Sequence, residues 1–116
     1  MSTMQLTITR QEEQLTACLR GELDHHSAGQ LRQKIDAALL QHRCRRLVLD
    51  LSGLTFMDSS GIGLIMGRYR LLRDREGTLT VTGASPRIES LLRMAGMEKL
   101  PIWGDKERMT VNETHQ

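Results

Sequence analysis

The residues best equipped for chemistry lie together in Asp50-Leu51-Ser52-Gly53-Leu54-Thr55-Phe56-Met57-Asp58-Ser59-Ser60-Gly61-Ile62-Gly63-Leu64. Acids, adjacent serines and closely spaced glycines share this stretch, which reads as a strand, a loop and a helix start. Gly61, Gly63 and Gly67 suggest a loop that lets a pyrophosphate approach a helix N-terminus. The interval from Asp50 to Gly61 is too long for that tight turn. The next strand ends in Thr80-Val81-Thr82, with no acid for a ribose. No Gly-Lys-Ser/Thr follows, so a P-loop is unsupported. A nucleophilic serine on a G-x-S-x-G elbow fails as well, because Met57-Asp58 precede the serines. His25, His26, His42 and His115 show no spacing that pairs one of them with a serine. An enzyme is not the expectation.

A serine that is itself modified fits better. Asp58, Ser59 and Ser60 are all good N-caps, and one helix start needs only one. A hydroxyl there is presented at a surface, within reach of a kinase. A phosphate would bring a charge of roughly −1.5 to −2, which a helix N-terminus tolerates. Beside Asp58 it would build a strong negative patch that acts on whatever docks there. These residues alone leave Ser59 and Ser60 equivalent.

The elements that must position this stretch follow from periodicity. Leu6 and Ile8 alternate with Thr7 and Thr9, and Leu15, Ala17 and Leu19 alternate with Thr16, Cys18 and Arg20. With Gln11-Glu12-Glu13 between them, the pattern predicts a hairpin ending at Gly21. Ser27 to Gln41 changes to a helical period, with Ser27 and Gln30 spaced as a capping box. Leu47-Val48-Leu49 with Leu51 predicts a central strand covered on both faces. Ile62, Ile65, Met66, Tyr69 and Leu72 form the apolar stripe of a helix that opens at Asp58-Ser59-Ser60-Gly61 and stops at Gly77. Thr78 to Thr82 alternates again. Ser85-Pro86 opens a helix that buries Ile88, Leu91, Leu92 and Ala95 and ends at Gly96. Leu100 to Trp103 reads as a short edge strand, and residues 105–112 as a final short helix. The result is an α/β fold: a mixed β-sheet with packed α-helices, starting with a β-hairpin.

Composition bounds the rest. The 116 residues carry 16 Lys+Arg and 14 Asp+Glu, a formal net charge of +2. That length suits a single domain spanning residues 1–116, with the tail after about residue 104 adding little. The aromatics are only Phe56, Tyr69 and Trp103, too few for base-stacking platforms. Nucleic acid is therefore not an expected partner. No apolar run approaches a membrane span, and Met1 to Arg10 lacks a signal core. A cytoplasmic location is the expectation. Cys18 and Cys44 have no metal spacing, and His25-His26 has no further ligands near it, so no metal site is indicated. Arg68, Arg70, Arg73 and Arg75 read as a solvated helix face.

Asp58-Ser59-Ser60-Gly61-Ile62-Gly63, continuing as Leu64-Ile65-Met66-Gly67-Arg68-Tyr69-Arg70, closely resembles the anti-sigma factor antagonists of the STAS family. Gly21-Glu22-Leu23-Asp24-His25-His26 is a second match, similar to the sporulation-type members. Element order and length fit over almost the whole chain. The resemblance implies that the first serine of the motif, Ser59, is phosphorylated by an anti-sigma factor that is itself a serine kinase. The unphosphorylated form would bind that kinase and free the sigma factor. The phosphorylated form would not, until a serine phosphatase resets Ser59. ATP would belong to the kinase, so no cofactor is expected here. Partner contacts are expected from Glu22, Asp24 and His25, in a loop after the hairpin, and from Asp58, Ser59, Ser60, Gly61 and Ile62. Gly61 and Gly63 are expected to let a partner's backbone approach closely. The alternative function is a STAS scaffold or ligand-sensing module of a stress-signalling assembly.

Overall fold

The computed structural model describes residues 4–104. The expected helix over residues 105–112 lies outside the described residues. The hairpin forms as strands β1 (Gln5–Gln11) and β2 (Gln14–Leu23). It turns through Glu12, whose φ of 58° is left-handed. Helix α1 (His25–His42), strand β3 (Arg46–Met57), helix α2 (Ser59–Asp74), strand β4 (Thr78–Thr82) and helix α3 (Pro86–Leu92) follow. The sheet order is β1-β2-β3-β4, antiparallel in the first pair and parallel in the next two. The fold is thus the mixed α/β sheet the periodicity predicts.

Each crossover steps the same way along the sheet, so right-handed connections place α1 and α2 on one face. That face holds the core. Leu15, Ala17 and Leu19 of β2, Leu47, Leu49 and Leu51 of β3, and Leu79 and Val81 of β4 are buried there. Leu31, Ile35 and Leu39 of α1, Ile65 and Leu72 of α2, and Ile88 and Leu92 of α3 join the same cluster. The expectation that β3 is covered on both faces is corrected. Val48 and Asp50, like Thr16, Cys18, Thr80 and Thr82, are only half-buried on the opposite, largely polar face.

Two strands run further than their patterns suggest. β2 does not end at Gly21 but continues to Leu23. β3 does not give way to a loop after Leu51 but continues to Met57. The register between them shifts twice, once between Cys18 and Arg20 and once between Gly21 and Glu22. At each shift β3 gains a residue on β2, as in a β-bulge. Its buried positions therefore move from Leu49 and Leu51 to Leu54 and Met57, which breaks the period-two signal. Asp50 pins the first bulge, accepting hydrogen bonds from the Ser52 N–H at 3.0 Å and the Ser52 hydroxyl at 2.8 Å. Burial works against the Asp50 charge, yet the two Ser52 donors and the Cys18 thiol hold its carboxyl below the ordinary range. Gly21, at φ 106°, takes a left-handed conformation costly for other residues, and its carbonyl accepts the Thr55 hydroxyl at the second bulge.

Smaller corrections concern the later elements. Ser85 caps α3 through the Ile88 N–H, with Pro86 in the first turn, as its sequence predicts. Ala95, expected inside, is exposed in a π turn over Arg93–Met97 that closes at Gly96, φ 97°. Leu100 to Trp103 forms no strand; only Trp103 makes a parallel bridge to Val81. The α2 stripe is rotated from the expected one, burying Leu64 and Arg68 while Ile62, Met66 and Tyr69 stay half-buried.

Arg68 is the clear departure from a solvated arginine face. It is 7% exposed, and its Nε lies 3.0 Å from Asp36 Oδ1 on α1. Burial pushes the guanidinium below its ordinary value, Asp36 opposes that, and Arg32 reinforces it. An arginine nonetheless stays charged at neutral pH. Neither Nε nor Nη1 has an aligned hydrogen-bond acceptor, so the pair orients α1 against α2 more than it stabilises them. Arg68→Met is expected to change unfolding free energy by less than about 1 kcal/mol, whereas Asp36→Ala, which strands the buried cation, should cost about 1–3 kcal/mol. Urea unfolding checks this; a larger loss for Arg68→Met would show that the charge itself holds the helices together.

Candidate functional site

β2 and β3 end side by side. Glu22 pairs with Phe56 and Leu23 with Met57, and the Asp58 N–H donates to the Leu23 carbonyl at 3.2 Å. Each chain then turns into a helix through an aspartate cap, Asp24 for α1 and Asp58 for α2. Neighbouring strands lie about 4.8 Å apart, so the two caps are adjacent. The two motifs of the sequence therefore meet at one sheet edge. There is no loop between hairpin and helix, which corrects the expected placement. Glu22 is still in β2, Asp24 is the cap, and His25 is the first residue of α1.

The caps differ in detail. Asp24 and Ser27 form a reciprocal capping box: Asp24 Oδ1 accepts the His26 and Ser27 N–H groups, and Ser27 Oγ accepts the Asp24 N–H at 3.1 Å. Ser27 is thus the third helical residue and not the cap that its spacing to Gln30 suggested. Its buried hydroxyl also donates to the Glu22 carbonyl at 3.2 Å, tying the strand end to the helix. The Ser27 N–H holds the Asp24 carboxyl below its ordinary 3.8 against the effect of burial, and the Ser27 hydroxyl and His26 N–H add to the lowering. His25 and His26 are exposed, with ring centroids 4.0 Å apart.

On α2, Asp58 Oδ1 accepts the Ser60 N–H at 2.8 Å and the Asp58 carbonyl accepts the Gly61 N–H at 2.9 Å. Ser59 is the first helical residue and is exposed, whereas Ser60 and Ile62 are half-buried. Gly61 is buried, and this corrects the reading that it admits a partner's backbone. A Cβ there would collide with the Met57 side chain and press on Leu23. Its bareness lets α2 start tightly against the ends of β2 and β3. Gly63 is exposed with open space around it, so of these two glycines it is Gly63 that leaves room for another chain.

The sequence reading missed Phe56. It is 48% exposed, although phenylalanine is rare in this chain. It lines a cavity of about 180 Å³ with Thr55, Met57, Ser85, Arg87, Ile88 and Leu91, between the end of β3 and the start of α3. Its position in the second bulge hid it, because the alternation that would mark it as outward is broken there.

Comparison with known proteins places this geometry. A family model described as Mlab, STAS domain matches residues 5–102. The chain is 38% identical over 104 residues to an anti-sigma F factor antagonist of Paenibacillus polymyxa, covering 89% of each chain. It is 42% identical over 79 residues to an anti-sigma F factor antagonist of Lysinibacillus sphaericus, covering 68% of each. Among solved structures it is similar to the anti-sigma factor antagonist SpoIIAA in its unphosphorylated form, with a TM-score of 0.76, 30% identity and 98% of both chains covered. It is also similar to the Bacillus cell fate determinant SpoIIAA in the phosphorylated form, with a TM-score of 0.70, 31% identity, and 95% and 98% of the two chains covered.

The glycines give a test of this geometry. Gly61→Ala should destabilise the chain by about 1–3 kcal/mol through overpacking. Gly63→Ala, in open space on a helix, should be neutral or gain up to about 1 kcal/mol. Denaturant unfolding separates them, and equal effects would contradict the packing role of Gly61. Asp24 gives a pH test. Its folded pKa is depressed, so its contribution is complete above 3.8 and is lost as pH falls through the lower folded value. Asp24→Asn keeps a cap but cannot titrate, so amide exchange at the start of α1 should lose its acid dependence; a variant that still loosened on acidification would refute the assignment.

Proposed function

The chain belongs to the STAS domain family, and on that premise we propose that it is an anti-sigma factor antagonist switched by phosphorylation of Ser59. The unphosphorylated form binds an anti-sigma factor serine kinase in the cytoplasm and thereby releases the sigma factor. The observation that carries this reading is the exposed Ser59 at the first position of α2, beside the adjacent Asp24 and Asp58 caps. Ser59 is favoured over Ser60 because its side chain is open to a kinase while Ser60 is partly covered.

The geometry supports a switch that acts on a surface. The kinase moves the γ-phosphoryl group of its ATP to Ser59 Oγ: the bond from that phosphorus to the β–γ bridging oxygen breaks, the bond to Oγ forms, and ADP leaves. The hydroxyl proton goes to a base on the kinase. The phosphate sits at a helix N-terminus, where the dipole favours it and α2 need not unwind. It also sits among Glu22, Asp24 and Asp58. The surface that was moderately acidic becomes strongly so, and more bulky. A partner fitted to the free hydroxyl is repelled. The family relatives named for anti-sigma antagonism, and solved neighbours with and without phosphate, support this reading. The protein acts by binding and needs no cofactor of its own. A serine phosphatase restores the binding form by hydrolysing the phosphate from Ser59.

Ser59→Ala should still bind the anti-sigma kinase and accept no phosphate from ATP, while Ser59→Asp should bind at least about tenfold more weakly, the equivalent of roughly 1.4 kcal/mol. Calorimetry with the kinase and phosphosite mapping by mass spectrometry read both. Phosphate found on Ser60 alone would overturn the residue assignment, and equal binding by Ser59→Asp and wild type would overturn the switch.

A further inference from the structure

The end of the molecule opposite Ser59 carries a second feature. α1 ends at His42, and Arg43 caps it in the left-handed region, φ 53°. Arg45 then leads into β3, held by its N–H to the Glu13 carbonyl at 3.1 Å. Arg75 caps the end of α2 close by. Between them lies an open groove of about 280 Å³ lined by Leu39, Leu40, Arg43, Cys44, Arg45 and Arg75. Its apolar floor includes buried Leu39 and Cys44, and Leu40 is 68% exposed at the same place.

We propose that this groove is a docking site for an acidic peptide segment of a protein partner, one that carries an aliphatic anchor between its carboxylates. The lining supplies three arginines and no acid, and among the described residues none of these arginines forms a salt bridge. Helix dipoles account for cations at the ends of α1 and α2. They do not account for Arg45, which precedes a strand, or for a large aliphatic side chain left in solvent. Charge rim and apolar floor together fit a segment with both properties, and guanidinium groups bind carboxylates in paired hydrogen bonds. Asp74 and Glu76 flank Arg75 in sequence, and the Glu13 backbone meets Arg45, but none of these three acids lines the groove. Nucleic acid would need a longer basic track and stacking aromatics, which this end lacks. A membrane would need a convex apolar face, and the groove is concave.

The site is independent of the phosphorylation surface. β3 spans 12 residues from this end to the other, roughly 35–40 Å at the usual rise per residue. Both ends can thus be occupied at once, and the antagonist can be held by one partner while it exchanges another.

The test is a titration of the isotope-labelled full chain with a synthetic peptide of two leucines flanked by glutamates, followed by amide shifts. Shifts should concentrate at Leu40, Arg45 and Arg75. The doubly reversed Arg45→Glu, Arg75→Glu chain should bind about tenfold more weakly or worse, and added salt should weaken the wild type. Leu40→Ser, an exposed change that leaves the core intact, should weaken it as well. Ser59→Asp should leave the affinity unchanged, so this result stands apart from the phosphorylation reading. The proposal is overturned if the shifts fall elsewhere or are absent, or if the charge reversal has no effect. It is equally overturned if a leucine-free glutamate peptide binds as well, or if anionic vesicles or RNA bind this end more tightly than the peptide.

Discussion

The structure turns on one hydrogen-bonded junction: the Asp58 N–H donating to the Leu23 carbonyl where two parallel strands end together. Parallel pairing forces the exits of β2 and β3 to one edge of the sheet, and the register Leu23 to Met57 makes them level. Each strand then enters a helix with no intervening loop. Both exits must satisfy free helix N–H groups immediately, and an aspartate does so each time. The adjacency of Asp24 and Asp58 follows from that constraint, as does the placement of Glu22, His25, Ser59 and Gly61 around them. Gly61 is needed because α2 begins directly above Met57, with no slack in which to lift it away.

The hairpin and the three helices were legible because the apolar period changes from one element to the next, although α2 buries a face rotated from its apolar stripe. The parallel pairs follow from a helix lying between strands. The Asp58 cap and the Ser85-Pro86 entry were legible for a chemical reason: few residue types do that work. What the sequence concealed was the length of β3. Two bulges shift its inward positions from every second residue to every third, so Ser52 to Met57 resembles a loop. Phe56 went unnoticed with it. Arg68 was hidden differently, since helical spacing alone gives no sign that a cation faces inward when its partner Asp36 lies on another helix. Ser27 was misread by one turn because Asp24, three residues earlier, serves equally well as a cap.

Glu22, Asp24 and Asp58 gather where β2 and β3 end, and Arg43, Arg45 and Arg75 line the groove where β3 begins. Glu13, Asp74 and Glu76 lie around that groove, so only its lining is purely basic. A phosphate on Ser59 would deepen the acidic end without touching the core, because every group it meets is already at the surface or in a cap. The Arg68–Asp36 contact lies between α1 and α2, away from that end.

The central claim is that the two helix starts form one surface for one partner. Amide hydrogen exchange of the full chain, free and with the proposed anti-sigma factor kinase, tests it most directly. The account predicts that residues 22–25 and 58–62 gain protection together on binding, and that both lose it when Ser59 is phosphorylated. Protection of one segment without the other, or protection that survives phosphorylation, would contradict it.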